Sequence, residues 1–244
     1  MMTVNSQNYV MKNITSGNTN NRKEHPMQPS IQVTGVGKVI ARPNLIVMNF
    51  EIITKDQDYD STLEEAAVKQ EQLRSAIMQA GVDPKDLKTI DFSINTNYIH
   101  EIDRTGNSHR IFDGYISNHK LVLELYFDMK LLSEVISSIT KSKATPEYTI
   151  SFTMKEKHLL TEELLVDAVE NATKNAYILA HAANQRLGKV LSIKYDWSDI
   201  RPFSPTRYNT MSEGQARFQA KALDIVPEDI EVTDRVTMEF ELLE

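Results

Sequence analysis

No cysteine occurs in the 244 residues, and that absence removes disulfides, thiolate zinc sites and cysteine nucleophiles together. Basic residues are in short supply. Against 34 Asp and Glu stand 27 Lys and Arg, a net charge of -7, so the mean surface field repels nucleic acid and anionic lipid. A general polyanion binder is disfavoured. No stretch is long and apolar enough to cross a bilayer. Residues 1–30 lack the apolar run of a secretory signal. The location expected from this is cytoplasmic, or the envelope if a signal segment has been removed. What is present is a 41% apolar share, enough for a continuous core in one large domain or two small ones.

Residues 1–30 are rich in Asn, Ser and Thr and end in His25-Pro26-Met27-Gln28-Pro29-Ser30, so a disordered polar tail is expected there. From Ile31 the texture changes. Ile31, Val33 and Val36, with Gly35 and Gly37 between them, predict a short strand that bends or bulges at its glycines. Val39 to Thr54 predicts a second strand entered through Pro43, and Asp58 to Ala80 a helix closed by Gly81. Leu87–Ile102 and Arg110–Phe127 read as two long strands joined by the polar segment Asp103–Ser108. Asp128 caps a shorter helix to Ile139, and Tyr148–Met154 alternates as a strand. Strand, helix, strand, strand, helix, strand is the ferredoxin-like order. A second long helix follows from Leu159 to Leu187, closed by Gly188, whose alanine stripe allows a sheet or a second helix to approach closely. C-terminal strands are expected at Val190–Trp197 and Glu231–Leu243. The fold class is therefore α+β, with an extended β-hairpin added to the ferredoxin-like body.

Several spaced blocks carry a family resemblance. They are Val33-Thr34-Gly35-Val36-Gly37 with Ala41 and Pro43, Ala80-Gly81-Val82, and Asp86-Leu87-Lys88-Thr89 running into Phe92-Ser93-Ile94 and Tyr98. Gly114-Tyr115 with Leu121, the alanine-rich stretch Ala168 to Leu187-Gly188, and Ile225 to Val236 with Pro227 complete the set. In this order they resemble the SIMPL-domain family, long catalogued as a domain of unknown function, over roughly residues 31–243, so residues 31–244 are expected to form one SIMPL-like α/β domain. Asn44 and Glu228 depart from the acidic residue and the glycine usual at those places. The resemblance implies a mixed α/β body with an extended hairpin and no known enzymatic activity. It also implies assembly into large ring-like oligomers in some relatives, an exported, stress-related life in many bacterial ones, and kinase-adaptor work in an animal one.

Catalytic motifs are missing. Gly35-Val36-Gly37 has Ile40 where a dinucleotide fingerprint needs its third glycine. The six histidines form no HExxH, although His100 and His109 would meet across the hairpin if it turned about Gly106. Glu64-Glu65 and Glu162-Glu163 lie near helix N-termini, where the macrodipole favours negative charge, and adjacent helical positions do not converge. No cofactor and no metal are expected. The leading expectation is a non-enzymatic, self-assembling scaffold, a homo-oligomer built through the hairpin residues Tyr98, His100, Glu101, His109 and Arg110. The first alternative is an adaptor that binds a protein through the 199–223 loop. There Arg201, Phe203, Arg207, Tyr208, Arg217 and Phe218 interleave arginine with aromatics in an otherwise acidic chain. The second alternative is a small-ligand protein or an enzyme that uses a cleft between sheet and helices.

Overall fold

The structure is a computed structural model and describes residues 29–103, 106–196, 200–210 and 225–244. In chain order the elements are β1 (Ser30–Ala41), β2 (Leu45–Asp56), α1 (Tyr59–Gln79), β3 (Lys88–Ile102), β4 (Ser108–Tyr126) and α2 (Met129–Lys141). They continue with β5 (Glu147–Thr153), α3 (Lys157–Ala182), β6 (Arg186–Lys194), β7 (Phe203–Thr210) and β8 (Ile230–Leu243). The strands form two antiparallel sheets, β3-β4-β2-β5-β7 and β1-β8-β6.

The larger sheet contains the expected ferredoxin-like body, β2-α1-β3-β4-α2-β5, in spatial order β3-β4-β2-β5. Strict alternation builds its core face. Ile46, Met48, Phe50 and Ile52 of β2 stand beside Leu121, Leu123 and Leu125 of β4, and Ile150 and Phe152 of β5. Helices α1 and α2 cover them with Leu73, Ala76, Ile77, Leu132, Val135 and Ile139. Both helices start on an aspartate. Asp58 accepts from the Ser61 amide, and Asp128 accepts from the Lys130 and Leu131 amides. Gly81, at φ +85°, turns the chain out of α1.

The smaller sheet packs on α3 through Val33, Val236, Met238 and Phe240, which meet Ala168, Ala172 and Ala176. Here the glycines serve closeness and not the expected bulge. Strand β1 pairs with β8 over twelve residues without a register break. A Cβ on Gly35 would lie 2.0 Å from the Ala168 carbonyl oxygen, and one on Gly37 2.1 Å from that of Leu164. Glycine on the strand and alanine on the helix together bring the backbones into contact.

Three further expectations are corrected. Val39–Ala41 completes β1, and Arg42-Pro43-Asn44 carries the chain to the other sheet, so the segment 39–54 is not one strand. Helix α3 ends at Ala182; Asn184 takes a left-handed φ of 55°, and Leu187 and Gly188 lie in β6. The segment 199–223 is not wholly loop, because Phe203–Thr210 forms β7 against β5.

Asn44 ties the entry of β2 to the ends of β4 and β5 and the approach to α3. Its amide donates to Glu156 Oε2 at 3.3 Å, its side-chain oxygen accepts from the Lys155 amide at 2.8 Å, and its backbone bonds Thr153 and Phe127. Only a side chain with both a donor and an acceptor makes both side-chain bonds. The amide at this departure from the family pattern is thereby accounted for.

Candidate functional site

Strand β2 stops at Asp56, opposite Tyr115. Beyond that level, among the described residues, β3 and β4 pair only with each other, and five cross-strand pairs from Tyr98–Phe112 to Ile102–Ser108 carry an arm roughly 17 Å past the body. The arm begins at Gly114, at φ +80°, where a Cβ would strike the Asp56 carbonyl oxygen at 2.3 Å. A register shift between Thr96 and Tyr98 marks the same place.

One face of the arm is an aromatic ladder rooted in the body. Tyr59, the first residue of α1, meets Tyr115 edge-on at 5.5 Å; Tyr115 meets Phe112 at 5.5 Å, and Phe112 meets Tyr98 at 5.8 Å. The Arg110 guanidinium lies 3.7 Å above the Tyr98 ring. The other face pairs Ile99 with Ile111 and Glu101 with His109. At the tip, Asp103 accepts from the Asn107 amide and bonds His109 Nε2, each at 2.9 Å. Both faces remain exposed, and Ile102 is 76% accessible.

The structure thus brings Tyr98, His100, Glu101, His109 and Arg110 together on one arm. His100 lies across from Arg110 and His109 across from Glu101, which puts the two histidines on opposite faces. They do not meet as expected for a shared site. Among the described residues no three His, Asp or Glu side chains are grouped to hold a metal ion.

At the other edge of the sheet, β7 carries Phe203, Arg207 and Tyr208, with Arg201 just ahead of it. Tyr208 packs on Tyr148 at 6.4 Å and borders the core, so it anchors the strand and does not face outward freely. Arg207 is exposed and Phe203 half-buried, with Lys157 Nζ 5.7 Å over its ring. Ser204 donates to the Glu228 carbonyl and the Glu228 amide donates to Thr206 Oγ1, which ties β7 to the approach of β8. Arg217 and Phe218 lie outside the described residues.

A shallow cleft of about 410 Å³ opens between α1 and α2, lined by Glu71, Gln72, Ser75, Ser138, Lys141 and Lys143 among others. Among the described residues its lining contains no imidazole and no carboxylate pair, the groups that proton-transfer chemistry most often uses.

Sequence reasoning missed His119. It is buried on the helix-covered face of β4, with Nε2 2.9 Å from Thr89 Oγ1 and its ring edge-on to Phe92 at 5.1 Å. Burial, with the Arg74 cation adding to it, holds its pKa below the ordinary imidazole value. Its phase is the signal that finds it: Ser117, His119, Leu121, Leu123 and Leu125 alternate on the core side.

Among the described residues, two antiparallel sheets, three helices and a braced projecting hairpin define an α+β protein, with β3 and β7 as the edge strands of its larger sheet. The model of the SIMPL family, described as a protein of unknown function (DUF541), matches residues 31–240, and the chain belongs to that family. It is similar to the 26 kDa periplasmic immunogenic proteins of Brucella melitensis and Brucella abortus, 22% identical over 68% of this chain. The match covers 66% of those proteins, slightly under two thirds of their length. It is also similar to the uncharacterized protein YggE of Edwardsiella ictaluri, 20% identical over 90% of this chain and 89% of that one.

Proposed function

We propose that the chain is a non-enzymatic scaffold that assembles with copies of itself through the β3–β4 arm. The observation that carries this reading is the arm itself. Tyr98, Ile99, Ile102, Ile111 and Phe112 are exposed on a hairpin that the aromatic ladder fixes to α1, and among the described residues no strand pairs with the outer edge of β3. A braced arm loses little conformational entropy on docking, and aromatic and arginine side chains are the usual anchors of interfaces. Light scattering after size exclusion tests it. Multiples of the 27.8 kDa chain mass that fall to monomer in Tyr98→Ser/Phe112→Ser support the reading, and a strict monomer across a wide concentration range overturns it.

A second reading, an adaptor using the opposite edge, is favoured by the placement of Arg201, Phe203 and Arg207 on or beside β7. Pull-down with Arg207→Glu tests it, and an unchanged set of partners removes that edge from consideration. The periplasmic name of two relatives favours an envelope location over a cytoplasmic one, a stress-related role being the wider expectation. Fractionation of cells that make the protein decides the compartment.

A further inference from the structure

The arm is rooted in a stretch of sheet that is unusually polar for a core. Thr54 of β2 and Ser117 of β4 are cross-strand partners, and His119 follows two residues along the same face. All three are buried, with His119 only 5% accessible. Among the described residues Thr54 Oγ1, Ser117 Oγ and His119 Nδ1 have no hydrogen-bond partner. Buried polar atoms without partners weaken the packing that covers them. The outer strand at this level is weak too. A register shift between Thr89 and Asp91 throws Ile90 outward, 60% accessible, and among the described residues no strand lies beyond β3.

His119 offsets this weakness. Its Nε2 holds Thr89 and its ring holds Phe92, so the imidazole ties the first residues of β3 to the core. The neutral ring suits the place: one nitrogen is bonded to Thr89, and the other lies buried without a partner. A proton on the ring adds a second N–H with no acceptor and a charge with no counter-ion. From α1 the group facing it is the Arg74 cation, held by the Pro84 carbonyl. Further along α1, Lys69 is engaged with Glu65 and the Ile53 carbonyl. Strand β2 presents Ile52 opposite the ring; β3 presents Thr89 and Phe92; β4 itself presents Ser117 and Leu121 on either side. None of these compensates a buried imidazolium.

We propose that His119 is an acid-sensitive latch, which holds the start of β3 against β4 while its ring is neutral and frees it once the ring is protonated. The latch works on the single chain, whether or not the arm docks another copy. Its sign follows from the lowered folded-state value. The stabilisation is complete above the ordinary imidazole pKa of 6.5 and is lost as pH falls from there through the folded value.

Amide hydrogen exchange of the full chain, corrected for intrinsic rates and compared at about pH 7.5 and about pH 5, tests this. In the native protein the protection of residues 88–94 falls at the lower pH, while β1 and β8 keep theirs. In His119→Gln, whose amide still reaches Thr89 but does not titrate, the difference between the two pH values disappears. Unchanged protection in the native protein overturns the latch, and so does a pH effect that survives in His119→Gln. If that variant does not fold, the His119 ring signal in the native protein decides by NMR. Its titration must coincide with the loss of protection at 88–94, and either change without the other overturns the proposal.

Discussion

Gly35 on β1 and Ala168 on α3 touch backbone to backbone: a Cβ on the glycine would lie 2.0 Å from the alanine carbonyl oxygen. Helix and strand therefore have no room for even one methyl group at this contact. Gly35→Ala and Gly37→Ala are each expected to cost roughly 1–3 kcal/mol through forced separation of the elements. Gly106→Ala, at the arm's turn, meets no atom within 4 Å and pays only for its φ of +88°, about 1 kcal/mol. Urea denaturation of the three variants gives the ranking, and a Gly35→Ala protein as stable as the native one contradicts the contact.

Asn44 makes a second prediction through Glu156. Asp at position 44 keeps an acceptor for the Lys155 amide but loses the donor to Glu156 and sets two carboxylates together. Asn44→Asp should lose roughly 1–3 kcal/mol at neutral pH. Part of the loss should return in Asn44→Asp/Glu156→Gln, where the repulsion is gone. A double-mutant cycle measures this, and purely additive losses would show that the two side chains are not coupled.

Tyr148 predicts behaviour at the alkaline end. Burial, with Tyr208 adding to it, pushes its phenol up to about 12 from the ordinary 10.0. The folded chain thus keeps a proton that the unfolded chain gives up. Stability from this group is complete below pH 10 and declines as pH rises through about 12. Absorbance titration of phenolate should show one tyrosine lagging behind the others, with the lag abolished in Tyr148→Phe.

Elements with long, clean periodicity were legible in the sequence. The first helix was bounded within a residue at each end by its Asp58 cap and Gly81, and the two arm strands were placed from alternation and the polar turn between them. Boundaries failed where one pattern ran into another. The stripe of Ala176, Leu179, Ala183 and Leu187 stays in helical phase past the true end of α3, so only Asn184, a residue that tolerates positive φ, marked the stop. Strand β7 was hidden because Ser204, Pro205, Thr206 and Asn209 have turn chemistry; pairing with β5 and the Tyr208–Tyr148 contact override that local preference. The arm was visible as a candidate site, whereas His119 was overlooked because Asn118 and Lys120 beside it gave the stretch a surface look.

The two edge strands of the larger sheet, β3 and β7, make different predictions, and one pair of variants separates them. Arg207 is exposed on β7, at one end of the order β3-β4-β2-β5-β7, and Phe112 is exposed on the arm that β3 and β4 form at the other. Arg207 is exposed, so Arg207→Glu should leave stability within about 0.5 kcal/mol of native. Phe112→Ser removes the middle of the ladder between Tyr115 and Tyr98 and should loosen the arm at a cost of about 0.5–1.5 kcal/mol per lost aromatic pair. If copies join through the arm, Phe112→Ser shifts the solution mass toward the single chain and Arg207→Glu does not. The reverse outcome, with mass sensitive to Arg207 and indifferent to Phe112, would move the assembling surface to β7 and leave the arm as a braced projection with another task.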